Sequence, residues 1–486
     1  MPSRVLSTLK PFMQILPEVP KPTRPVTFRE KLLWTGLVLT IYFIMCEVTL
    51  YPLSPQQPGF ERFFFLRLIF ASRRGTLAEL GIGPIVTAGL IFQLLVGSRI
   101  LDLDLSDPED RALFTGGQKL FAFLFALLES SVYAFSGIYG LTSISAKFAI
   151  FMQLFAASIL IILMDEMIQK GWGLGSGVSL FIAAGVAQQI FWLCFAPYPM
   201  DDGYPLGALL AFFSAIAASV RTHSIEPLKN VIVRPHGLPD VVGFLSMIGI
   251  FLLISYLEGV RVELPVVYSR YRGLRAKIPF KFLYVSNVPV ILTGALSANI
   301  MMFAQILWSR YSNTSAIKYI KWFVYYENVN GTNVLRPSLV YYLSPPGNLS
   351  DVAADPMRAL IYLLLFTMLC VFFAIAWVET SGMDPETQAE QIVRAGLQIP
   401  GFRRSERIVA AILRRYIPSL TILSGLAVGL IAAVADMLGA IGTGMGILLL
   451  IDILLQYQAI MMQERALEMY PLLRSCLLYT SPSPRD

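Results

Sequence analysis

Four carboxylates stand in or beside long apolar runs: Glu47, Glu79, Glu129 and Asp452. A charged side chain at mid-membrane costs about 2.5–3.5 kcal/mol on insertion scales, so such groups must be protonated, paired or hydrated. Glu79, Glu129 and Asp452 could form a proton relay, the chemistry of a proton-coupled secondary transporter whose glycine-rich helices rock. That chemistry also needs polar groups converging at the midpoint to hold a solute. Catalysis is poorly provided for. There is no GxxxxGK[ST] phosphate loop, and the two histidines, His223 and His236, share one connecting segment. Cys46, Cys194 and Cys370 lie inside separate apolar runs, which suggests neither a zinc cluster nor a disulfide framework. No enzyme and no cofactor are expected. The remaining chemistry is basic. One set comprises Arg261, Arg270, Arg272, Arg275, Lys277 and Lys281, the other Arg394, Arg403, Arg404, Arg407, Arg414 and Arg415.

The elements that must position these groups are membrane helices. Of 486 residues, 56% are apolar and only 14% charged, where a soluble domain would carry about a quarter charged. Apolar runs predict ten spans, at 32–50, 75–96, 120–138, 148–164, 173–195, 241–257, 288–307, 359–378, 420–435 and 438–460. The run 207–220, of about 14 residues, reads as an interfacial helix. Residues 1–31 read as a short amphipathic helix broken by Pro11 and Pro17, then a proline-rich linker, without the apolar core of a cleaved signal peptide. Six basic residues there (Arg4, Lys10, Lys21, Arg24, Arg29 and Lys31) hold the amino terminus in the cytosol. Ten spans then return both basic sets, in connections 258–287 and 379–417, to the cytosolic side, as the positive-inside rule requires. Three sequons, at Asn313, Asn330 and Asn348, fall in the opposite-side connection 308–356.

Residues 59–97 break the pattern of plain spans. The run 60–71 is too short to cross a bilayer and carries Arg62 and Arg67. A break at 72–75 precedes a span with Gly81, Gly83 and Pro84 near its middle, where a helix would kink. Two arrangements satisfy this: a segment that enters a cavity and turns back, or an interfacial helix before an ordinary span.

The spans divide five and five. The last span of each half begins with alternating glycines, Gly173, Gly175 and Gly177, then Gly442, Gly444 and Gly446. An odd number of spans per half makes the halves inverted copies. The expected organisation is a cytosolic segment 1–31, an N-terminal half 32–237 and a C-terminal half 238–474. Residues 475–486 change character abruptly and read as an assembly scar.

The stretches RGTLAELGIGPIVT, RALFTGGQKLF, QKGWGLGSGVSLFIA, RYRG with SNVPVIL, YYLSPP and ADMLGAIGTGMGILL, in this order, resemble the large alpha subunit of the Sec protein-conducting channel. This is the SecY family, in its eukaryotic endoplasmic reticulum form, and the resemblance runs from about Leu9 to Tyr457. It implies an all-α clamshell of two inverted five-helix halves around a central pore, passing secretory chains and releasing membrane segments sideways. The positions matching the pore ring are Ile82, Val86, Val178, Ile182, Ile291 and Leu449. All are aliphatic, so such a ring would gate by dewetting. A plug at 60–72 would bring Arg62, Phe63, Phe64, Phe65, Arg67 and Ile69 beneath it. The lateral gate maps onto Thr87, Glu129 and Asn299, with Glu129 standing where the family usually has glutamine. Arg270, Arg272, Arg403 and Arg404 match ribosome-docking positions, where arginine forks suit rRNA phosphates. The implied partners are beta and gamma subunits, the ribosome with its rRNA, nascent polypeptides and signal sequences, membrane lipid, accessory post-translational translocation proteins and a lumenal chaperone. A scaffold or insertase with no through-pore is the further alternative.

Overall fold

In lipid every backbone polar group must be satisfied internally, and the chain meets this demand with helices. The structure, a computed structural model, describes residues 10–13, 15–24, 26–53, 75–97, 101, 108–136, 139, 143–199, 203–234, 238–268, 275–285, 288–311, 320–329, 332–347, 349–394, 397–398 and 405–469. Ten principal helices run through them: α1 (Phe28–Glu47), α2 (Gly83–Gly97), α3 (Pro108–Phe135), α4 (Ile144–Met167), α5 (Gly177–Phe195), α6 (Val241–Gly259), α7 (Val288–Tyr311), α8 (Pro356–Thr380), α9 (Glu406–Met437) and α10 (Gly444–Met469). Eight of these are long and apolar enough to cross a membrane. The other two are α1, with 20 residues and charges at both ends, and α2, with 15.

Two expectations about span starts are corrected. Residues 75–82 are turns, not the first half of a helix. Gly75 and Gly81 adopt φ of +70° and +51°, and Thr76 pairs with Thr49 in an isolated bridge. Gly83 and Pro84 therefore open α2 rather than kink it, because proline's fixed φ and missing N–H suit a helix's first turn. Similarly, Gly173 and Gly175, and Gly442 in the other half, lie in turns before α5 and α10; Gly177 and Gly444 open the helices. A five-residue π-helical turn, Ile168–Trp172, joins α4 to the first of these turns. Helix α9 starts 14 residues before the expected span and absorbs Pro418. The run expected to be interfacial forms the 15-residue helix Ala208–Thr222.

The amino-terminal linker is a bound strap. Pro11 sits within a helical stretch rather than breaking it. Lys119 Nζ donates to the Pro17 carbonyl (2.7 Å) and Trp172 Nε1 to that of Pro20 (2.8 Å). Lys170 binds the Glu18 carboxylate, and its hydrogen bond and then its charge hold that carboxyl below the ordinary glutamate range. The strap leads into α1 through a capping box of Thr27 and Glu30.

Helices α8 and α9 pack closely through Gly425 and Gly429, where an added Cβ would lie 2.9 Å from Ala374 Cβ and 3.1 Å from Cys370 Cβ. Strands β1 (Arg261–Tyr268) and β2 (Arg275–Lys281) form a hairpin between α6 and α7. A second hairpin, β3 (Tyr326–Val329) with β4 (Thr332–Leu335), lies between α7 and α8. Strand β5 (Leu397–Gln398) joins the other edge of β1, so the two basic connections meet in one sheet.

The connection between the halves is tied around Arg234, a fully buried arginine that sequence inspection did not single out. One guanidinium nitrogen donates to the carbonyls of Pro205, Leu206 and Pro239, at 3.1, 3.1 and 3.2 Å. Arg234→Met would take the shared donor from three half-buried carbonyls, at a cost of about 3 kcal/mol. Thermal denaturation in detergent should show a clear fall in midpoint, while the exposed control Arg221→Met should show none.

Candidate functional site: an aliphatic constriction shared by both halves

The six candidate ring residues are delivered by four helix beginnings. Ile82 ends the turn before α2, and its carbonyl accepts the Val86 amide at 3.0 Å, so it starts the helix that carries Val86 one turn on. Val178 and Ile182 lie on the first turns of α5, Ile291 on the first turn of α7, and Leu449 on the second turn of α10. All six belong to one hydrophobic cluster that draws on both halves. Ile82, Ile182 and Leu449 are at most 1% exposed, and Val86, Val178 and Ile291 are partly buried and packed against the same cluster. None has a polar atom in its side chain, so these six offer neither ligand nor proton. The convergent polar groups a transporter needs are not among these six.

Two buried carboxylates that sequence reasoning passed over fix the α5 and α10 beginnings. Asp165 Oδ1 accepts the Val178 amide at 2.9 Å, and its Oδ2 accepts from Gln169 at 2.8 Å. Asp436 Oδ1 accepts the Gly444 amide at 2.7 Å, and its Oδ2 accepts from the Tyr362 hydroxyl at 2.9 Å. Helix N-termini present unpaired donors and partial positive charge, so a carboxylate is a fitting partner. An acidic residue a short way before each glycine series was the signal available.

At the seam, α2 lies against α7 and α8. Asn299 Nδ2 of α7 donates to Thr87 Oγ1 of α2 over 3.4 Å, a long bond between a buried threonine and a part-buried asparagine. Glu129 is 5% exposed on α3 and makes no hydrogen bond that joins this pair. Two of the three candidate gate residues are thus brought together. A bond of this kind is worth about 0.6 kcal/mol in a membrane protein, so Thr87→Val should favour an open seam roughly threefold. Increased disulfide trapping between cysteines placed across the open seam, or its absence, checks this.

Glu79 is buried and engaged, its Oε2 accepting from the Tyr139 hydroxyl at 2.6 Å and the Gly75 amide at 3.0 Å. Asp452 accepts from Gln456 one turn away. Lys281 binds Glu258 at 3.0 Å and fastens the β1–β2 hairpin to the end of α6. Arg270 and Arg272, Arg403 and Arg404, and the six plug candidates Arg62, Phe63, Phe64, Phe65, Arg67 and Ile69 lie outside the described residues. The strands from which the two basic segments leave, β1 and β5, are direct neighbours.

Comparison with known proteins agrees with this geometry. The family model for SecY matches residues 76–458, and one described as the plug domain of Sec61p matches residues 41–75. The protein translocase subunit SecY of Aeropyrum pernix is 40% identical over 478 residues, covering 97% of this chain and 98% of its own. A solved structure described as "The structure of a protein conducting channel" is 40% identical with a TM-score of 0.79, over 95% of this chain and 98% of the other. Sec61 in the canine ribosome-channel complex from the endoplasmic reticulum is 39% identical with a TM-score of 0.76, over the same shares. None of these likenesses is to a secondary transporter.

Proposed function

This chain belongs to the SecY family of protein translocase subunits, and from that footing we propose that its six converging aliphatics are the constriction an unfolded polypeptide passes. The chain is a protein-conducting channel and not an enzyme. The observation that supports the reading is that Ile82, Val86, Val178, Ile182, Ile291 and Leu449, drawn from both halves, all fall in one apolar cluster. Flexible aliphatic side chains exclude water and ions when closed and yield to any sequence when a chain enters. Residues 60–72 back the ring as a plug.

Membrane segments leave between the halves at Thr87, Glu129 and Asn299. An apolar helix of about 20 residues gains several kcal/mol on entering lipid. That exceeds what the weak Thr87–Asn299 bond contributes to the closed seam, so a signal sequence opens it and a polar chain does not. The chain works in the endoplasmic reticulum membrane with its amino terminus in the cytosol, together with beta and gamma subunits. A translating ribosome, or accessory proteins with a lumenal chaperone, supplies the drive.

The ribosome meets the basic segments beside the cytosolic sheet, through Arg270, Arg272, Arg403 and Arg404. Reversing the first pair (Arg270→Glu with Arg272→Glu) should weaken ribosome binding and flatten its salt dependence by about two counterions. A titration of binding between 50 and 200 mM salt reads both.

A photo-crosslinker replacing Ile182 tests the pore reading. It should label the hydrophilic portion of a ribosome-stalled secretory chain. Labelling of lipid alone would refute the assignment.

A further inference from the structure

The turns before α5 and α10 are held in the same way, by their own half and by the other. Gly175, two residues before α5, has φ +70°, and an added Cβ there would sit 3.0 Å from the Tyr457 ring. Gly442, two residues before α10, has φ +93°, and its Cβ would sit 2.6 Å from Ile190. Tyr457 and Ile190 are each thirteen residues into their helices, counted from Gly444 and Gly177. Helices α5 and α10 are therefore antiparallel neighbours clasped at both ends, each end a left-handed glycine under a side chain of the opposite half. Only glycine admits both that backbone conformation and that closeness.

This symmetry fixes a height. With the thirteenth position of one helix set beside the turn of the other at both ends, the fifth positions face each other to within about one helical turn. Those positions are Ile182 and Leu449. The clasps alone do not hold the turns in place. Asp165 binds the α5 beginning at Val178, itself a ring residue, and Asp436 binds the α10 beginning at Gly444. Thr35 Oγ1 accepts the Leu174 amide at 3.0 Å, and the Tyr457 hydroxyl is directed at the carbonyls of Leu174 and Ser176 at 3.1 and 3.0 Å.

We propose that Asp165 and Asp436 are positioning residues for the constriction, setting the axial level of α5 and α10 so that Ile182 and Leu449 meet. Tyr457 couples that level from the C-terminal half to the N-terminal half. The inference rests on the pore reading above and adds to it the groups that keep the ring in register.

The test is ion leak from vesicles containing the full chain with its partner subunits, measured beside thermal stability in detergent. Asp165→Leu and Asp436→Leu should each raise resting leak about fivefold, the factor for loss of one helix cap acting on a closed–open equilibrium. Asp165→Asn and Asp436→Asn keep an acceptor oxygen and should restore the seal. Tyr457→Phe keeps the ring over Gly175, removes only the hydroxyl, and should leak with no more than a small fall in stability. Tight vesicles from folded leucine variants would overturn the proposal. Should those variants fail to assemble, Tyr457→Phe decides, and a tight channel with that change overturns it. Ile182→Asn serves as the reference. If it leaks while the aspartate and tyrosine variants stay tight, this inference alone falls. If it stays tight, the pore reading falls and this inference with it.

Discussion

A channel carrying Ile182→Asn together with Leu449→Asn conducts ions at rest at least tenfold faster than the unaltered channel. Both side chains are at most 1% exposed and lie in the apolar cluster shared by the halves. Asparagine keeps leucine's four side-chain heavy atoms and its branch at Cγ in a smaller volume, so the main change is chemical, an amide in place of two methyl groups. An amide buried without partners costs about 1–3 kcal/mol by mutational measures. Two facing amides recover that cost by admitting water, which moves the hydrated population by a factor of ten or more. A constriction that seals by excluding water opens to ions once water stays. The volume-conserving pair Ile182→Leu with Leu449→Ile should remain tight, since such swaps preserve both packing and polarity. Bilayer conductance in the absence of any secretory chain distinguishes these results. Unchanged conductance in the asparagine pair would place the seal elsewhere.

Gly444→Ala should abolish stable assembly. A Cβ on Gly444 would lie 2.1 Å from the Ala432 carbonyl oxygen and 2.6 Å from Ala435 Cβ. Both belong to α9, whose backbone cannot recede, because α9 packs closely on α8. The Gly444 amide is itself fixed at 2.7 Å from Asp436. Overpacking of this kind costs about 3 kcal/mol or more, enough to unfold many proteins. Gly36→Ala is the matched control. It lies inside α1 with open space around its added Cβ, so it should stabilise by about 0.5–1 kcal/mol. Yield and denaturation midpoint in detergent should move in opposite directions for the two variants.

These positions show which parts of the fold were readable beforehand. The number and order of the long helices follow from apolar runs that only a membrane explains, and composition reports them directly. The start of α2 did not follow, because an apolar turn and an apolar helix look alike in hydropathy. The left-handed Gly75 and Gly81, with Pro84 behind them, made the difference. The six ring residues came from the resemblance, since an aliphatic residue facing lipid and one facing a pore have the same side chain. The glycine series of both halves were visible, but their meaning was not. What they require is Tyr457 and Ile190 from opposite halves, and such long-range contacts leave no local pattern. Asp165 and Asp436 passed unnoticed because a carboxylate near a helix end is as often hydrated as buried. Arg234 carried no signal at all: a single arginine in a polar connection gives no hint of a fully buried guanidinium.

The buried Glu129 separates this chain from the glutamine that the family resemblance implies at that position. Its side chain sits in α3 beside the small residues Ala122 and Ala126, where the helix faces Ala88 of α2. A carboxyl there adds a cost that an amide avoids, so Glu129→Gln should tighten the closed seam. Less signal-independent translocation in that variant is the expected result.

On the proposed pore reading, the secretory chain passes through the aliphatic ring. The most direct measurement is a structure of the channel holding a ribosome-arrested secretory chain. The secretory chain's density should lie on the axis between α2, α5, α7 and α10, with Ile82, Val86, Val178, Ile182, Ile291 and Leu449 around it. Density on any other path, with those six side chains still packed against one another, would contradict that reading.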